Sequence, residues 1–218
     1  MKKTKTILAG IIAAGVALSA LGSTISAAPI TSGAEFELTA PEVTDPVDPI
    51  EEGDGIETGQ SGPLSIDYIP NFSFESAEVS AEAFTVADTS DKPNVQITDV
   101  RGTGEGWNLK LAATPFKTND GKTLSGAILR VKEIDVQNPN SSVSAAPVAA
   151  SVVFEFGQGE GTGVEHSILT AAKDSGMGTW LGRFYTGATN HVELEVPAGA
   201  YVGEYTATLT WTLENAPA

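Results

Sequence analysis

Apolar and polar residues alternate along most of the chain after Pro63. Leu64-Ser-Ile-Asp-Tyr-Ile69 and Trp107-Asn-Leu-Lys-Leu-Ala112 each carry apolar side chains at every second position, and Val95-Gln-Ile-Thr-Asp-Val100 alternates as far as Thr98. A period of two belongs to a half-buried strand, whose successive side chains point to opposite faces. The same pattern predicts strands over 79–86, 127–136, 148–156, 180–185, 191–196 and 201–213. Turn formers separate them: Asp91-Lys-Pro-Asn94, Asn119-Asp-Gly121, Asn138-Pro-Asn140, a Gly-rich run over 157–163, and Pro197-Ala-Gly199. Many short strands joined by Gly and Pro turns predict an all-β, β-sandwich-like single domain. No sustained apolar stripe of period 3.6 occurs outside the N-terminus; 167–173 has room for one short helical turn.

The N-terminus has a different texture. Lys2, Lys3 and Lys5 precede an uncharged, mostly apolar stretch over 7–21, and Ile25-Ser-Ala27 offers a small-residue cleavage site. That is the build of a secretory signal peptide over 1–27. Its apolar core is short for a membrane span, so no transmembrane segment is expected after cleavage. Residues 28–61 then read as a disordered acidic linker. Its centre, Ala40-Pro-Glu-Val-Thr-Asp-Pro-Val-Asp-Pro-Ile-Glu-Glu-Gly-Asp-Gly55, has too few apolar groups to offset its ordering entropy. The folded domain is expected over 62–218.

Charge sharpens this division. From Ala28 to Asp91 there are 15 acids and no Lys or Arg; from Lys92 onward 13 acids face nine bases. Loss of the three signal Lys takes the formal net charge from −16 to −19. Such a chain attracts neither nucleic acid nor anionic lipid, and it does not dock onto wall teichoic acids by bulk attraction. A partner must be met by shape, by local patches or through divalent cations.

Candidate chemistry is sparse. With no Cys there is no thiol catalysis, no Cys-ligated zinc and no disulfide, so the core alone holds the domain. The two His, His166 and His191, stand beside no Gly-x-Ser-x-Gly elbow. Glu155, Glu193 and Glu195 are the carboxylates open to a glycosidase reading, but alternation places each on the solvated side of a strand. The Gly-rich runs 102–106 and 157–163 lack phosphate-loop spacing and a following helix. The acids of the linker match no EF-hand spacing. No catalytic residue, metal ligand or cofactor is assigned, and an enzyme is not expected.

Two Trp-x-Leu triplets stand out: Trp107-Asn108-Leu109, after the run Arg101-Gly-Thr-Gly-Glu-Gly106, and Trp211-Thr212-Leu213, near the last residue. At strand period each sets an indole and an aliphatic group on one sheet face. That arrangement serves a core, which needs a partner for the indole N–H in some loop carbonyl. It also serves an exposed pair that stacks on sugar rings. The two strands are expected to lie close together in the fold.

The paired triplets, the second inside Gly203-Glu-Tyr-Thr-Ala-Thr-Leu-Thr-Trp-Thr-Leu213, resemble the WxL domain of surface proteins from low-GC Gram-positive bacteria. Gly62-Pro-Leu-Ser-Ile-Asp-Tyr-Ile-Pro-Asn-Phe-Ser-Phe74 is similar to that domain's opening, and Asp99-Val-Arg-Gly-Thr-Gly-Glu-Gly-Trp-Asn-Leu109 to its first-motif stretch. Val192-Glu-Leu-Glu-Val-Pro-Ala-Gly-Ala-Tyr-Val-Gly203 is similar to the approach to the second. The resemblance covers about 62–215; Trp180 has no place in the motif. It implies an extracellular protein held non-covalently on the cell wall and its peptidoglycan by this domain. It also implies a membrane-anchored companion protein or a host matrix as further partners. Only Trp107, Leu109, Trp211 and Leu213 carry over from the motif, as structural or wall-binding residues. The absence of a Leu-Pro-x-Thr-Gly sorting signal fits non-covalent attachment. A rival reading is a protein-binding adhesin or assembly subunit of a surface complex.

Overall fold

The computed structural model describes residues 29–41, 44–157 and 164–215. The signal segment over 1–27 and most of the second Gly-rich run lie outside the described residues. Residues 29–37 are exposed and carry no strand. The folded unit starts at Leu38. In chain order its strands are β1 (Gly55–Glu57), β2 (Leu64–Pro70), β3 (Phe84–Ala87), β4 (Asn94–Asp99), β5 (Trp107–Ala113), β6 (Lys117–Thr118), β7 (Ala127–Val131), β8 (Asp135–Gln137) and β9 (Val148–Ala149). They continue with β10 (Val152–Phe156), β11 (His166–Ala171), β12 (Gly178–Arg183), β13 (Tyr185–Thr186), β14 (Thr189–Asn190), β15 (Val192–Val196), β16 (Tyr205–Thr206) and β17 (Leu209–Glu214). No helix occurs among the described residues.

The architecture is all-β and sandwich-like, as the alternation predicts. One sheet has the order β1-β2-β4-β12-β8, a second β17-β5-β11-β9, and a third β10-β7-β15-β3. All pairings inside these sheets are antiparallel. Their inward faces share one core: Val95 and Ile97 from the first sheet, Leu109, Leu111 and Leu169 from the second, Leu129, Phe154 and Val192 from the third. At Gly182 of β12 the first two sheets come so close that a side chain there would meet Leu169 Cδ1 at 2.9 Å. Burying each large aliphatic side chain of this core contributes roughly 1.5–3 kcal/mol. With no disulfide, that burial carries the fold.

Two segments differ from the sequence reading. Residues 167–173 are not a helical turn. They lie mostly in β11, which pairs with β5 from His166↔Leu111 to Ala171↔Trp107 and buries Ile168, Leu169 and Ala171. A six-residue window shows too little periodicity to separate a bulged strand from a turn of helix. The second difference is larger. From Thr44 onward the acidic segment is part of the fold, and its end forms β1, paired to β2 from Gly55↔Pro70 to Glu57↔Tyr68.

That strap is held by polar side chains on the outer face of the first sheet. The Gln96 carboxamide accepts from Ile50 N at 2.8 Å and donates to Asp48 O at 3.1 Å, as a neighbouring strand would. Asn94 Nδ2 donates to Glu51 O. Arg183 Nε meets the Glu51 carboxylate at 2.6 Å, and the Tyr185 hydroxyl donates to the same group. The Tyr185 hydroxyl is pushed up to about 12 by burial and by Glu51. Asp67, buried beneath, accepts from Gln96, Thr98 and Ser65. Composition hides all this because the strap is bound largely through its backbone and the carboxylates of Glu51 and Asp54, the latter accepting from Asp91 N at 2.9 Å.

Gln96→Ala should therefore destabilise the domain by about 1–3 kcal/mol, since it strands buried polar groups. It should also speed hydrogen exchange at the Ile50 amide well beyond that global loss; an unchanged Ile50 rate would show that the strap does not depend on this pairing. A second expectation concerns Asp88, whose carboxyl accepts from Ser73 N, Ser90 and Asn190 without any cation. Burial raises its pKa above the usual 3.8 against the opposing pull of those hydrogen bonds. Its folded pKa thus exceeds its unfolded one, so its contribution favours the fold at low pH and is lost as pH rises through the folded value. The stability of wild type minus that of Asp88→Asn, followed by urea titration, should fall as pH rises from about 4 to 7.

Candidate functional site: the paired motif strands

The expectation that the two motif strands lie together is met in the most direct way. β17 hydrogen-bonds along β5, with Leu213 opposite Leu109, Trp211 opposite Leu111 and Glu214 opposite Asn108. The indoles are not cross-strand partners. Trp107 lies four positions before Leu111, about 14 Å along the strand, and the two leucines fill the space between. The motif thus forms one inward row with an indole at either end.

Trp107, Leu109 and Leu111 are fully buried. Trp211 and Leu213 are half-buried and pack against the same core; the Trp211 ring meets Phe184 edge-on, centroids 5.9 Å apart. Trp107 Nε1 donates to the Gly176 carbonyl at 3.0 Å, the loop partner a buried indole requires. The fit is tight. A side chain on Gly176 would meet Ala171 Cβ at 2.3 Å and Trp107 Nε1 at 2.7 Å, and Gly176 sits at φ 74°. Gly106, at φ 82°, passes so close to the Ala171 carbonyl that a Cβ would be 2.3 Å from it. The Gly-rich run before the first triplet is a packing device for the turn over Trp107, not a phosphate cradle.

Arg101 locks this corner. Its guanidinium donates to both Asp99 oxygens, at 2.9 and 2.7 Å, to the Gly106 carbonyl at 2.8 Å, and to Asn215 Oδ1 just past β17. Asp99 is buried, and its hydrogen bond raises the Arg101 pKa further above its ordinary value. One side chain therefore ties the end of β4, the Gly run and the end of the second motif strand. The sequence reading did not find it, although Asp99 and Arg101 stand two apart at the head of the run.

The reverse face of the same strands is polar. Lys110 Nζ meets Glu214 Oε1 at 2.6 Å, and that contact raises the lysine's pKa. Asn108 donates to Ser167 Oγ and accepts from Thr170 Oγ1, and Thr212 Oγ1 donates to Glu165. Thr210 extends the row outward. The signal was available: Lys110 and Glu214 each lie three residues past a motif Trp, with opposite charge.

The other candidates stand apart from this face. Trp180 is core, with its N–H on Met177 O. His166 packs edge-on against Phe154, and His191 Nε2 is 3.0 Å from Thr186 Oγ1. Glu193 and Glu195 pair with Lys132 and Arg130 across β7, as expected of a solvated strand face, and Glu155 is exposed. Among the described residues no cluster of three His, Asp or Glu could hold a metal ion, and no helix is long and apolar enough to cross a membrane.

A family model, WxL domain surface cell wall-binding, matches residues 23–217. No curated protein and no solved structure matches the chain. The match begins well before Gly62 and so takes in the acidic strap along with the two triplets.

If the inward row is what the motif builds, Trp107→Ala should cost about 3–5 kcal/mol. Trp211→Ala should cost clearly less, because its ring is only half-buried. Gly176→Ala should cost about 2–4 kcal/mol through overpacking and backbone strain. Urea unfolding followed by circular dichroism ranks the three; equal losses for the two Trp variants would contradict the asymmetry in burial.

Proposed function

Since the chain belongs to the WxL family of surface cell wall-binding domains, we propose that it is exported by its N-terminal signal and holds non-covalently to peptidoglycan through the polar face of β5, β11 and β17. The observation that supports this reading is direction. The motif's Trp107 and Leu109 point into the core, so wall contact falls to the residues between and beside them. Lys110, Thr170, Thr212 and Glu214 offer ammonium, hydroxyl and carboxylate groups on one strand surface, over a buried Asn108 that holds β5 to β11. Such a surface suits the N-acetyl, hydroxyl and stem-peptide groups of peptidoglycan. It does so without bulk charge attraction, which the net negative charge, −16 before and −19 after loss of the three signal Lys, denies to an anionic wall polymer.

Binding rather than cleavage is the reading because the carboxylates open to glycosidase chemistry are engaged by bases or stand in solvent. Glu193 and Glu195 each face a base, and Glu155, level with Glu195 across β7, is exposed on the sheet's outer face. A second reading, an assembly or adhesin subunit with a protein partner, is favoured by a separate apolar cleft described below.

The test is retention on purified peptidoglycan stripped of teichoic acids. Wild type should be retained. Lys110→Ala combined with Thr212→Val should bind about tenfold more weakly, a loss of about 1.4 kcal/mol, at unchanged melting temperature. Trp107→Phe, if folded, should bind as wild type does. Absence of wild-type retention, or equal retention of the outer-face variant, would rule the proposal out.

A further inference from the structure

The apolar face of the third sheet borders a cleft at one end. Val86, Leu129, Leu194 and Val196, with Phe116, floor this cleft of about 900 Å³ between two loop walls, 72–79 and 200–207. That volume falls within the range of about 300–1,000 Å³ typical of binding sites. Three large apolar side chains stand on its lips in water: Val79 56 % exposed, Tyr201 65 % and Val202 82 %. An apolar floor with exposed apolar lips marks an interaction surface rather than scattered surface hydrophobicity. Glu75, Glu78 and Glu204, all exposed, share the lips. Of the bases on this side, Lys122 pairs with Asp120 and lies over the Tyr201 ring, and Lys117 is exposed on β6 opposite Thr206, so three carboxylates face two bases there.

Each wall is anchored to the fold at one point or more. Ser73 N donates to Asp88 Oδ1 at 2.9 Å, and Thr89 N to Ser73 O at 2.8 Å. On the other side β16 pairs with β6, and the Tyr205 hydroxyl donates to Tyr201 O at 2.8 Å. β3, which borders the cleft, is the edge of its sheet and pairs in register only with β15. An edge strand offers its backbone to an added chain.

We propose that this cleft binds an extended polypeptide segment of a partner protein, with aliphatic or aromatic side chains seated on the floor and Lys or Arg against the three glutamates. Charge complementarity selects this occupant. A fatty-acid chain would bring its own carboxylate to an acidic rim. A glycan would need hydrogen-bonding side chains on the floor, and the floor is aliphatic and aromatic. The inference is independent of the wall-binding face, which lies on the second sheet.

Selection from a phage-displayed library of random heptapeptides on the purified protein tests it. Enriched sequences should combine at least two aliphatic or aromatic residues with a Lys or Arg. Their labelled synthetic copies, titrated by fluorescence anisotropy, should bind at least tenfold more weakly to Tyr201→Ser/Val202→Ser and to Glu78→Lys/Glu204→Lys. Both variants change exposed side chains, so melting temperature and retention on peptidoglycan should stay as in wild type. The proposal is overturned by lack of enrichment, by enrichment of acidic sequences, or by undiminished binding to both variants. Displacement of the peptides by decanoate or by an N-acetylglucosamine oligomer as readily as by unlabelled peptide would also overturn it, by showing another occupant.

Discussion

A buried indole must hydrogen-bond its N–H, and in this domain it does so through a turn with no room for a side chain. Trp107 donates to Gly176, and Gly176 sits against the indole and Ala171 at once. Much of the local sequence follows from that contact. The turn after β11 must curl back over β5, which brings the Ala171 and Ala172 carbonyls against the segment entering β5. Gly106 is what that approach permits. The chain then needs an anchor at the open side of the corner. Arg101 supplies it, bound to a buried carboxylate and reaching the end of β17. Removing one partner of a buried pair leaves an uncompensated charge, typically at a cost of about 3–5 kcal/mol. The corner is therefore a cooperative unit of Asp99, Arg101, the glycines, Trp107 and Gly176.

This geometry gives the spacing of the triplet a physical meaning. In a strand, residues one and three share a face and residue two takes the other. Fixing Trp and Leu inward fixes the direction of the residues between them. In β5 that residue is Asn108, bonded to Ser167 and Thr170 of β11; in β17 it is Thr212, bonded to Glu165. The apolar members set register and turn the polar members to the opposite face, where Asn108 is buried against β11 and Thr212 stays partly exposed. A one-residue slip of β17 against β5 would turn Trp211 outward and Thr212 into the core, so the apolar row also protects the polar one.

The fold class was legible because alternation is local. Each of β2, β4, β5, β15 and β17 can be read from its own five to seven residues. The adjacency of β5 and β17 was legible only through the repeated triplet, since nothing else in the chain links positions a hundred residues apart. What escaped was set by non-local pairing. Residues 79–83 alternate like a strand but join no sheet; Val79 ends a cleft wall, Ser80 O accepts from Gly199 N, and β3 is confined to Phe84–Ala87. Residues 127–136 divide into β7 and β8, which belong to different sheets. At the site, the buried role of Trp107 could be read from its pattern, whereas the Arg101 clamp could not, because two of its partners, Gly106 and Asn215, are placed by tertiary structure.

The acidic strap extends the same reasoning to composition. A segment of acids, prolines and glycines ordinarily stays unfolded because it has little apolar surface to bury. Here the cost of ordering is met from the other side of the contact. The outer face of the first sheet presents Asn94, Gln96 and Arg183, which bind the strap's peptide groups and the Glu51 carboxylate. The two prolines at 46 and 49 lower the entropy lost, because their φ angles are fixed in the free chain as well. A carboxamide that accepts from one peptide N–H and donates to a carbonyl two residues away acts as a surrogate strand. It does so for any sequence whose backbone is extended. Folding of such a segment is thus governed by the receiving face, and the propensity of the segment itself is a poor guide to whether it is ordered.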